Sequence, residues 1–391
     1  MGNKKQLKFR DNLDRTSYKP LRIDKRKDFL KQIKSLIQNS TRPAIVDTYQ
    51  EQLEELFFLR NPLFRFGKNY KKGLNKFLKT GIKNQSSNFS GEWFFYPWLN
   101  SAVHFLPKKL YLELRTGRNK NLITKEEQEK FYSSLIGIAG LSVGSHVALT
   151  LAMTGGCKKI HLADPDIISG SNLNRIRTGL TSIGINKTIA VARQIYEINP
   201  YAEIQLFKQG LTDKNLKRFL GRGKTKLDLL IEETDHPYLK LKIRELARPL
   251  KIPVIMAADN GDGAIVDIER FDTNPKLPLL HGAVGSLTAE NLKKLPPEKL
   301  PAVMAKIVGA EHASERMLKS VLEVGKSLYS WPQLGTAATL CGSLLTNLAR
   351  KILLGQPIKT GRYNINPDLL FFKRGQRQNN KIKKLLKKLG V

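Results

Sequence analysis

The stretch SSLIGIAGLSVGSHVALTLAMTGGCKKIHLADPD, residues 133–166, decides the fold. Its opening, SSLIGIAG (133–140), is a short apolar run closed by glycine. SVGSHVALTLAMTGG (142–156) follows with helical character and a Gly-Gly stop. KKIHLADPD (158–166) is a second apolar run, and it ends in acids. Strand, helix and strand in close order form the βαβ unit of a parallel sheet.

Outward from this unit the alternation continues. NKTIAVARQIYEINP (186–200) reads as a helix stopped by Pro200, AEIQLFKQG (202–210) as a strand, and LDLLIEETD (227–235) as another. PYLKLKIRELARPLK (237–251) is helical and IPVIMAAD (252–259) is a fifth strand. AIVDIERFD (264–272) alternates like an antiparallel strand or hairpin arm. The expected class is α/β, a doubly wound and mostly parallel sheet, with a mainly helical N-terminal extension. The expected divisions are 1–112, 113–370 and 371–391.

Upstream, AIVDTYQEQLEELFFLRNP (44–62) reads as a helix stopped at Asn61-Pro62. GKNYKKGLNKFLKTGIKNQ (67–85) is basic and lacks any acid. GEWFFYPWLNSAVHFL (91–106) is aromatic, and so apolar that it reads as core or interface before a base-stacking platform. FFKRGQRQNNKIKKLLKKLGV (371–391) carries eight basic residues and no acid, as a disordered tail or a basic amphipathic helix. LGTAATLCGSLLTNLARKILLG (334–355), the longest apolar stretch, is broken by Asn347, Arg350 and Lys351 and reads as a buried or amphipathic helix, not a membrane span.

The chain of 391 residues carries 67 Lys+Arg against 34 Asp+Glu, a formal charge of +33. Such an excess suits a polyanionic partner, or simply a lysine-favouring proteome. Cys157 and Cys341 are the only cysteines, so there is neither a disulfide framework nor a CxxC zinc site. This usage suits a cytoplasmic location. The charged MGNKKQLKFRDNLDR start is no secretory signal, and Gln6 stands where a myristoylation site needs Ser or Thr.

In a doubly wound sheet, ligands sit beyond the carboxyl ends of the strands. Four signals fall there. The turn GIAGLSVGS (137–145) brings Gly140 and Gly144, and with them backbone N–H groups, toward a phosphate or nucleotide. Asp164, 20 residues past Gly144, stands where an acid accepts from ribose hydroxyls. With the turn this points to a nucleotide ahead of the alternative, a helix-capping acid, and Asp166 fits a cap equally well. SNLNR (171–175) then GINK (184–187) gather Asn172, Arg175 and Lys187, a forked donor and a point charge suited to phosphate oxygens. In EETDH (232–236), Asp235 is placed to hold a magnesium ion against phosphates.

These motifs, DPD, SNLNR, GINK, EINP and ETDH in that order, resemble the ThiF/MoeB/HesA family of adenylyltransferases, which are similar to ubiquitin-activating enzymes. The resemblance is clear over about 115–272 and looser over 273–365, and it leaves out 1–110. It implies ATP and Mg2+ as cofactors. Asp164 would bind ribose, Asn172, Arg175 and Lys187 the triphosphate and reacting carboxylate, and Asp235 the metal. Within LRTGRNKNLI (114–123), Arg118 would be the arginine finger that reaches a partner subunit's site, which implies a homodimer. Four departures stand out: the AGLSVG turn, Ile176 for Gln, His236 for Asn and Asn119 for Gln.

The implied reaction joins a carboxylate, on a ubiquitin-like protein, a peptide or a small molecule, to AMP and releases pyrophosphate. Cys157 and Cys341 both read as packing residues and neither follows the fifth strand, so no enzyme thioester is expected. His281 reads as structural or as the cleft's edge, and His104 and His161 as structural. Three alternatives stay open. One is a tRNA-acting relative like the threonylcarbamoyladenosine dehydratases, favoured by the basic segments. The others are an NAD(P)-binding oxidoreductase and a non-catalytic nucleotide-binding module.

Overall fold

The computed structural model describes residues 14–24, 32, 43–65, 67, 69–83, 91–156, 158–296, 299–371 and 379–388. The chain divides into two compact units, Met1–Gly117 and Arg118–Val391.

The first unit contains β1 (Leu21–Arg22), β2 (Ala44–Asp47), α1 (Tyr49–Arg60), α2 (Tyr70–Lys83), β3 (Glu92–Tyr96), β4 (Ser101–Phe105) and α3 (Lys108–Arg115). Among the described residues it holds, beside these helices, a four-stranded sheet ordered β1-β3-β4-β2, which the expectation of a mainly helical extension does not contain. The helix expected over 44–62 is shorter. Its first residues, with β-branched Ile45 and Val46, pair in parallel with β4 instead. The helix starts at Tyr49 and ends before Asn61-Pro62. The aromatic stretch makes the β3–β4 hairpin and buries Phe94, Phe95, Tyr96 and Phe105, as a core reading requires. In α2, Leu74 is buried, Phe77 and Leu78 join the cluster around Leu53 and Leu56, and Lys71, Lys72, Lys76 and Lys79 stay exposed.

The second unit runs α4 (Lys125–Ser133), β5 (Leu135–Ala139), α5 (Val143–Met153), β6 (Lys159–Ala163), α6 (Lys187–Ile198), β7 (Glu203–Phe207), α7 (Leu216–Leu220), β8 (Leu229–Glu232), α8 (Pro237–Ala247), β9 (Val254–Asn260) and β10 (Gly263–Glu269). It continues with α9 (Ala289–Lys293), α10 (Leu300–Val308), α11 (Glu315–Val321), α12 (Gly335–Leu353), β11 (Gly361–Ile365), α13 (Asp368–Phe371) and α14 (Asn379–Lys388). Its sheet is ordered β11-β10-β9-β8-β5-β6-β7. The five strands β9, β8, β5, β6 and β7 are parallel, and β10 pairs antiparallel with both β9 and β11. This is the expected α/β class, with 264–272 supplying the antiparallel arm.

The chain moves outward from β5 to β6 and β7 on one side, then returns to β8 and β9 on the other. The strand order therefore reverses between β5 and β8, where open sheets of this kind leave a crevice. Register fixes what lines it. Ala139 pairs with Ala163 and with Glu232, so the residues after β5, β6 and β8 emerge side by side.

Helix α5 packs against β5, α6 and α12 and buries residues around most of its circumference, which is why its sequence is apolar all round. Helix α12 buries Ala337, Ala338, Cys341, Gly342, Leu345 and Ala349, a stripe at helical spacing. A Cβ at Gly342 would fall 2.4 Å from the Cβ of His146, so only glycine lets the two helices approach this closely. Among the described residues no helix is long and apolar enough to cross a membrane. Within the basic segment 371–391, α14 is helical and lays Ile382, Leu385 and Leu386 on a cluster of Ala305, Ala310, Ala313 and Leu318.

Beneath the crevice lies a buried ionic network. Arg244, fully buried, donates from Nε to Glu269 at 2.5 Å and from Nη1 to Glu232 at 2.5 Å. Lys240 Nζ adds a contact to Glu232 at 3.2 Å. Burial alone would raise the Glu232 carboxyl, but the charges of Lys240 and Arg244 outweigh it and hold the group at about 2.

Candidate active site

The site begins with the turn after β5. Gly140 has φ +89°, and a Cβ there would sit 2.2 Å from the Glu233 carbonyl oxygen, so the position requires glycine. Its N–H donates to the Ala163 carbonyl at 2.8 Å, which ties the turn to the end of β6. The next N–H, of Leu141, donates to Asp164 Oδ2 at 2.7 Å, and the Asp166 N–H donates to Asp164 Oδ1 at 2.9 Å.

Asp164 is buried, and burial pushes its carboxyl above the usual range, with Lys187 and the two N–H donors pulling the other way. Lys187 Nζ lies 2.8 Å from Asp166 and 3.6 Å from Asp164. These residues are far apart in the chain because 165–186 forms an excursion pinned at its ends. The N-cap Asn186 accepts from the Thr188 N–H at 3.0 Å, and its Nδ2 donates to the Asp164, Pro165 and Asp166 carbonyls. Lys187, the first residue of α6, is thereby fixed over the end of β6.

Gly140, Asp164, Asp166, Lys187 and Asp235 line one cavity of about 340 Å³, together with Ser142, Glu233 and Thr234. Arg175 touches its rim. Its Nε donates to Ser142 Oγ at 3.1 Å, and Nη1 donates to the Ser171 carbonyl at 3.1 Å and Asn174 Oδ1 at 2.9 Å. Asn172 is buried outside the wall, where its Oδ1 caps the turn by accepting from the Ser169 N–H at 3.1 Å. Gly144 lies in the first turn of α5 against Ile138, and the exposed Arg118 lines neither this cavity nor the one described next. Asp235 is exposed, and its carboxylate makes no hydrogen bond or ion pair with the described residues.

A second cavity of about 440 Å³ adjoins the first and shares Ser142, Glu233, Thr234 and Asp235 with it. Glu233 is walled in by protein apart from these cavities. Burial pushes its carboxyl well above the carboxylate range, although Lys240 and the Ala257 N–H, which donates to Oε1 at 2.8 Å, oppose this. Asp259, at the end of β9, is likewise raised by burial, while it accepts from Gln333 Nε2 at 2.8 Å. Ser142, Glu233 and Asp259 escaped the sequence reading. For Glu233 and Asp259 the signal was present, since each acid stands at the carboxyl end of a parallel strand.

The remaining candidates hold structure. Cys341 is buried with Sγ 3.5 Å from Asp259, and burial followed by the Asp259 charge pushes its thiol upward. Cys157 lies outside the described residues. His161 bonds the Phe219 carbonyl at 2.8 Å and His104 stacks on Trp93. His281 faces Asp267 at 3.0 Å and lines neither cavity. His146, unremarked in the sequence, bonds the Arg175 carbonyl at 2.5 Å and so anchors the loop that presents Arg175. Asn119, one of the four departures, donates to Gln128 and to the Thr154 carbonyl, both at 2.9 Å. No cluster of three or more metal-ligating side chains occurs among the described residues.

The model of the ThiF family matches residues 116–387. Uncharacterized protein MT1398 of Mycobacterium tuberculosis (strain CDC 1551 / Oshkosh) is 36% identical over 275 residues, covering 70% of this chain and 38% of its own length. The tRNA threonylcarbamoyladenosine dehydratase of Bacillus subtilis (strain 168) is 30% identical over 166 residues, 40% of this chain and 64% of its own length. The chain thus spans less than two thirds of either relative. A crystal structure of E. coli MccB with ATP aligns at a TM-score of 0.45 and 16% identity, over 81% of this chain and 84% of that one.

Proposed function

Because the chain belongs to the ThiF family, we propose that it is an adenylyltransferase that activates a carboxylate with ATP, forms an acyl-adenylate, and uses no enzyme thioester. The carrying observation is that Asp164, Lys187 and Asp235 line one cavity at the point where the strand order reverses.

The residues divide the work. Each Asp164 oxygen already accepts one backbone N–H and keeps capacity for a ribose hydroxyl. Lys187 donates one hydrogen bond to Asp166 and lies 3.6 Å from Asp164, leaving donors for a phosphate. Arg175 uses Nε and Nη1 within the protein and turns Nη2 to the triphosphate. Asn172 holds the loop that carries Arg175. Asp235, unpartnered and facing both cavities, fits a magnesium ion, which needs one or two carboxylates besides phosphate oxygens. A magnesium ion held there would neutralise phosphate charge.

A substrate carboxylate oxygen bonds to the α-phosphorus, the bond to pyrophosphate breaks, and no proton moves. The protein's task is to position the two anions and offset their charge. Arg118, exposed at the start of the second unit, would serve the site of a second copy in a homodimer. The burial and raised thiol of Cys341 support a reaction that stops at the adenylate.

Pyrophosphate exchange with Mg-ATP and carboxylic acids tests the reading. Arg175→Ala is expected to lower exchange on the order of 100-fold or more. Normal Mg-ATP binding with no exchange for any acid class returns the non-catalytic module. A second reading, action on tRNA, is favoured by the exposed lysines of α2 and the charge of +33. It expects tRNA binding that weakens steeply with salt.

A further inference from the structure

The second cavity differs from the first in kind. Its walls are apolar: Ile265 from β10, Leu300, Met304 and Val308 from α10, Met317 from α11, and Trp331 before α12. Its polar groups are Ser142, Glu233, Thr234 and Asp235, where it meets the first cavity, and Lys240, Asp259, Asn260 and Gln333 beyond that rim. At about 440 Å³ it falls within the range of roughly 300–1,000 Å³ that houses small organic ligands. Methionine walls adapt to irregular apolar shapes.

We propose that this cavity is an acyl chamber, which takes the apolar body of a carboxylic acid and delivers its carboxylate across the shared rim to the nucleotide cavity. The delivery rests on the reading of the first cavity as a nucleotide site. The size and walls of the chamber select an alkyl or arylalkyl acid, free or as the apolar last residue of a peptide. A tail ending in two glycines would leave those walls uncovered, and uncovered apolar wall contributes nothing to affinity. Ser142, on the wall shared by the two cavities, accepts from Arg175 and has a hydroxyl proton to donate to the incoming carboxylate. Trp331, 51% exposed while lining the chamber, marks its mouth.

The test uses the full chain and two readouts. In the first, octanoate is titrated without nucleotide and followed by intrinsic tryptophan fluorescence, with Trp331→Phe identifying the reporter. Octanoate is expected to bind, and Met304→Trp, which fills the chamber, to weaken it at least tenfold while Mg-ATP binding by equilibrium dialysis is unchanged. Met304→Ala serves as the opposite variant and shifts the preference from octanoate toward decanoate. In the second, pyrophosphate exchange is measured with acetate, hexanoate, octanoate, phenylbutanoate, a peptide ending in leucine and a peptide ending in Gly-Gly. The specificity constant is expected to rise about fourfold per added methylene from hexanoate to octanoate. Acetate and the Gly-Gly peptide are expected at background, and comparing the free acids with the leucine peptide identifies the source.

Failure of octanoate to bind overturns the chamber, as does equal binding by wild type and both Met304 variants, or exchange greatest with the Gly-Gly peptide. Octanoate binding that responds to Met304 in a protein that does not bind Mg-ATP upholds the apolar-acid site and overturns the nucleotide reading instead.

Discussion

Replacing Arg244 by methionine isolates the network that supports the site. The guanidinium is fully buried, holds Glu269 and Glu232 at 2.5 Å each, and donates to the Lys240 carbonyl at 3.0 Å. After Arg244→Met, Glu232 keeps Lys240 at 3.2 Å and the Thr234 donors at 2.9 and 2.6 Å. Glu269 keeps only the Leu280 N–H at 2.7 Å and becomes a buried carboxylate without a cation. Methionine fills much of the volume, so the cost is electrostatic, about 3–5 kcal/mol for removing one partner of a buried pair. At about 2–4 °C per kcal/mol for a unit of this size, differential scanning calorimetry at pH 7 should show Tm lower by roughly 10 °C.

The charge left on Glu269 is the source of the loss, so Arg244→Met/Glu269→Gln should recover more than half of it. A drop under about 2 °C, or one that Glu269→Gln leaves unchanged, would refute the electrostatic argument.

Other outcomes follow from the same geometry. Lys187→Ala should lower pyrophosphate exchange on the order of 100- to 1,000-fold and leave the far-UV spectrum unchanged, as measured by exchange kinetics and circular dichroism. Gly140→Ala forces a side chain into a left-handed conformation 2.2 Å from the Glu233 carbonyl oxygen, and calorimetry should show a loss of at least about 2 kcal/mol together with weaker Mg-ATP binding. Glu232, held at about 2 against an ordinary 4.5, contributes stability that is present above pH 4.5 and lost as pH falls toward 2, so Glu232→Gln should flatten that limb of an acid-unfolding curve. Glu233, raised above 4.5, acts in the opposite sense: its proton favours the fold, and that contribution fades as pH rises through the folded value. Glu233→Gln keeps the acceptor for Ala257 and should raise Tm at pH 8 relative to pH 4.

The sheet was legible because each parallel strand is a short apolar run followed by glycine or acid. Those run ends are also where Asp164 and Asp235 stand, and both line the same cavity. Strand β2 was not legible, since four residues beside a helix signal nothing about a partner as distant as Ser101–His104. Asn172 illustrates a different limit. Its spacing suggests a ligand contact, while the folded loop uses its Oδ1 to satisfy the Ser169 N–H. The second cavity could not be read at all. Its walls come from segments around 256–265, 300–321 and 331–333, and only the folded chain brings them together.

Helix α14 sets an order of events during synthesis. Ala305, Ala310, Ala313 and Leu318 line the apolar cavity on one side and receive Ile382, Leu385 and Leu386 on the other. A nascent chain that has left the ribosome only as far as residue 371 therefore has its sheet complete and this patch still bare to water. In that interval a chaperone, or another unfinished chain, competes with α14 for the same few alanines and a leucine.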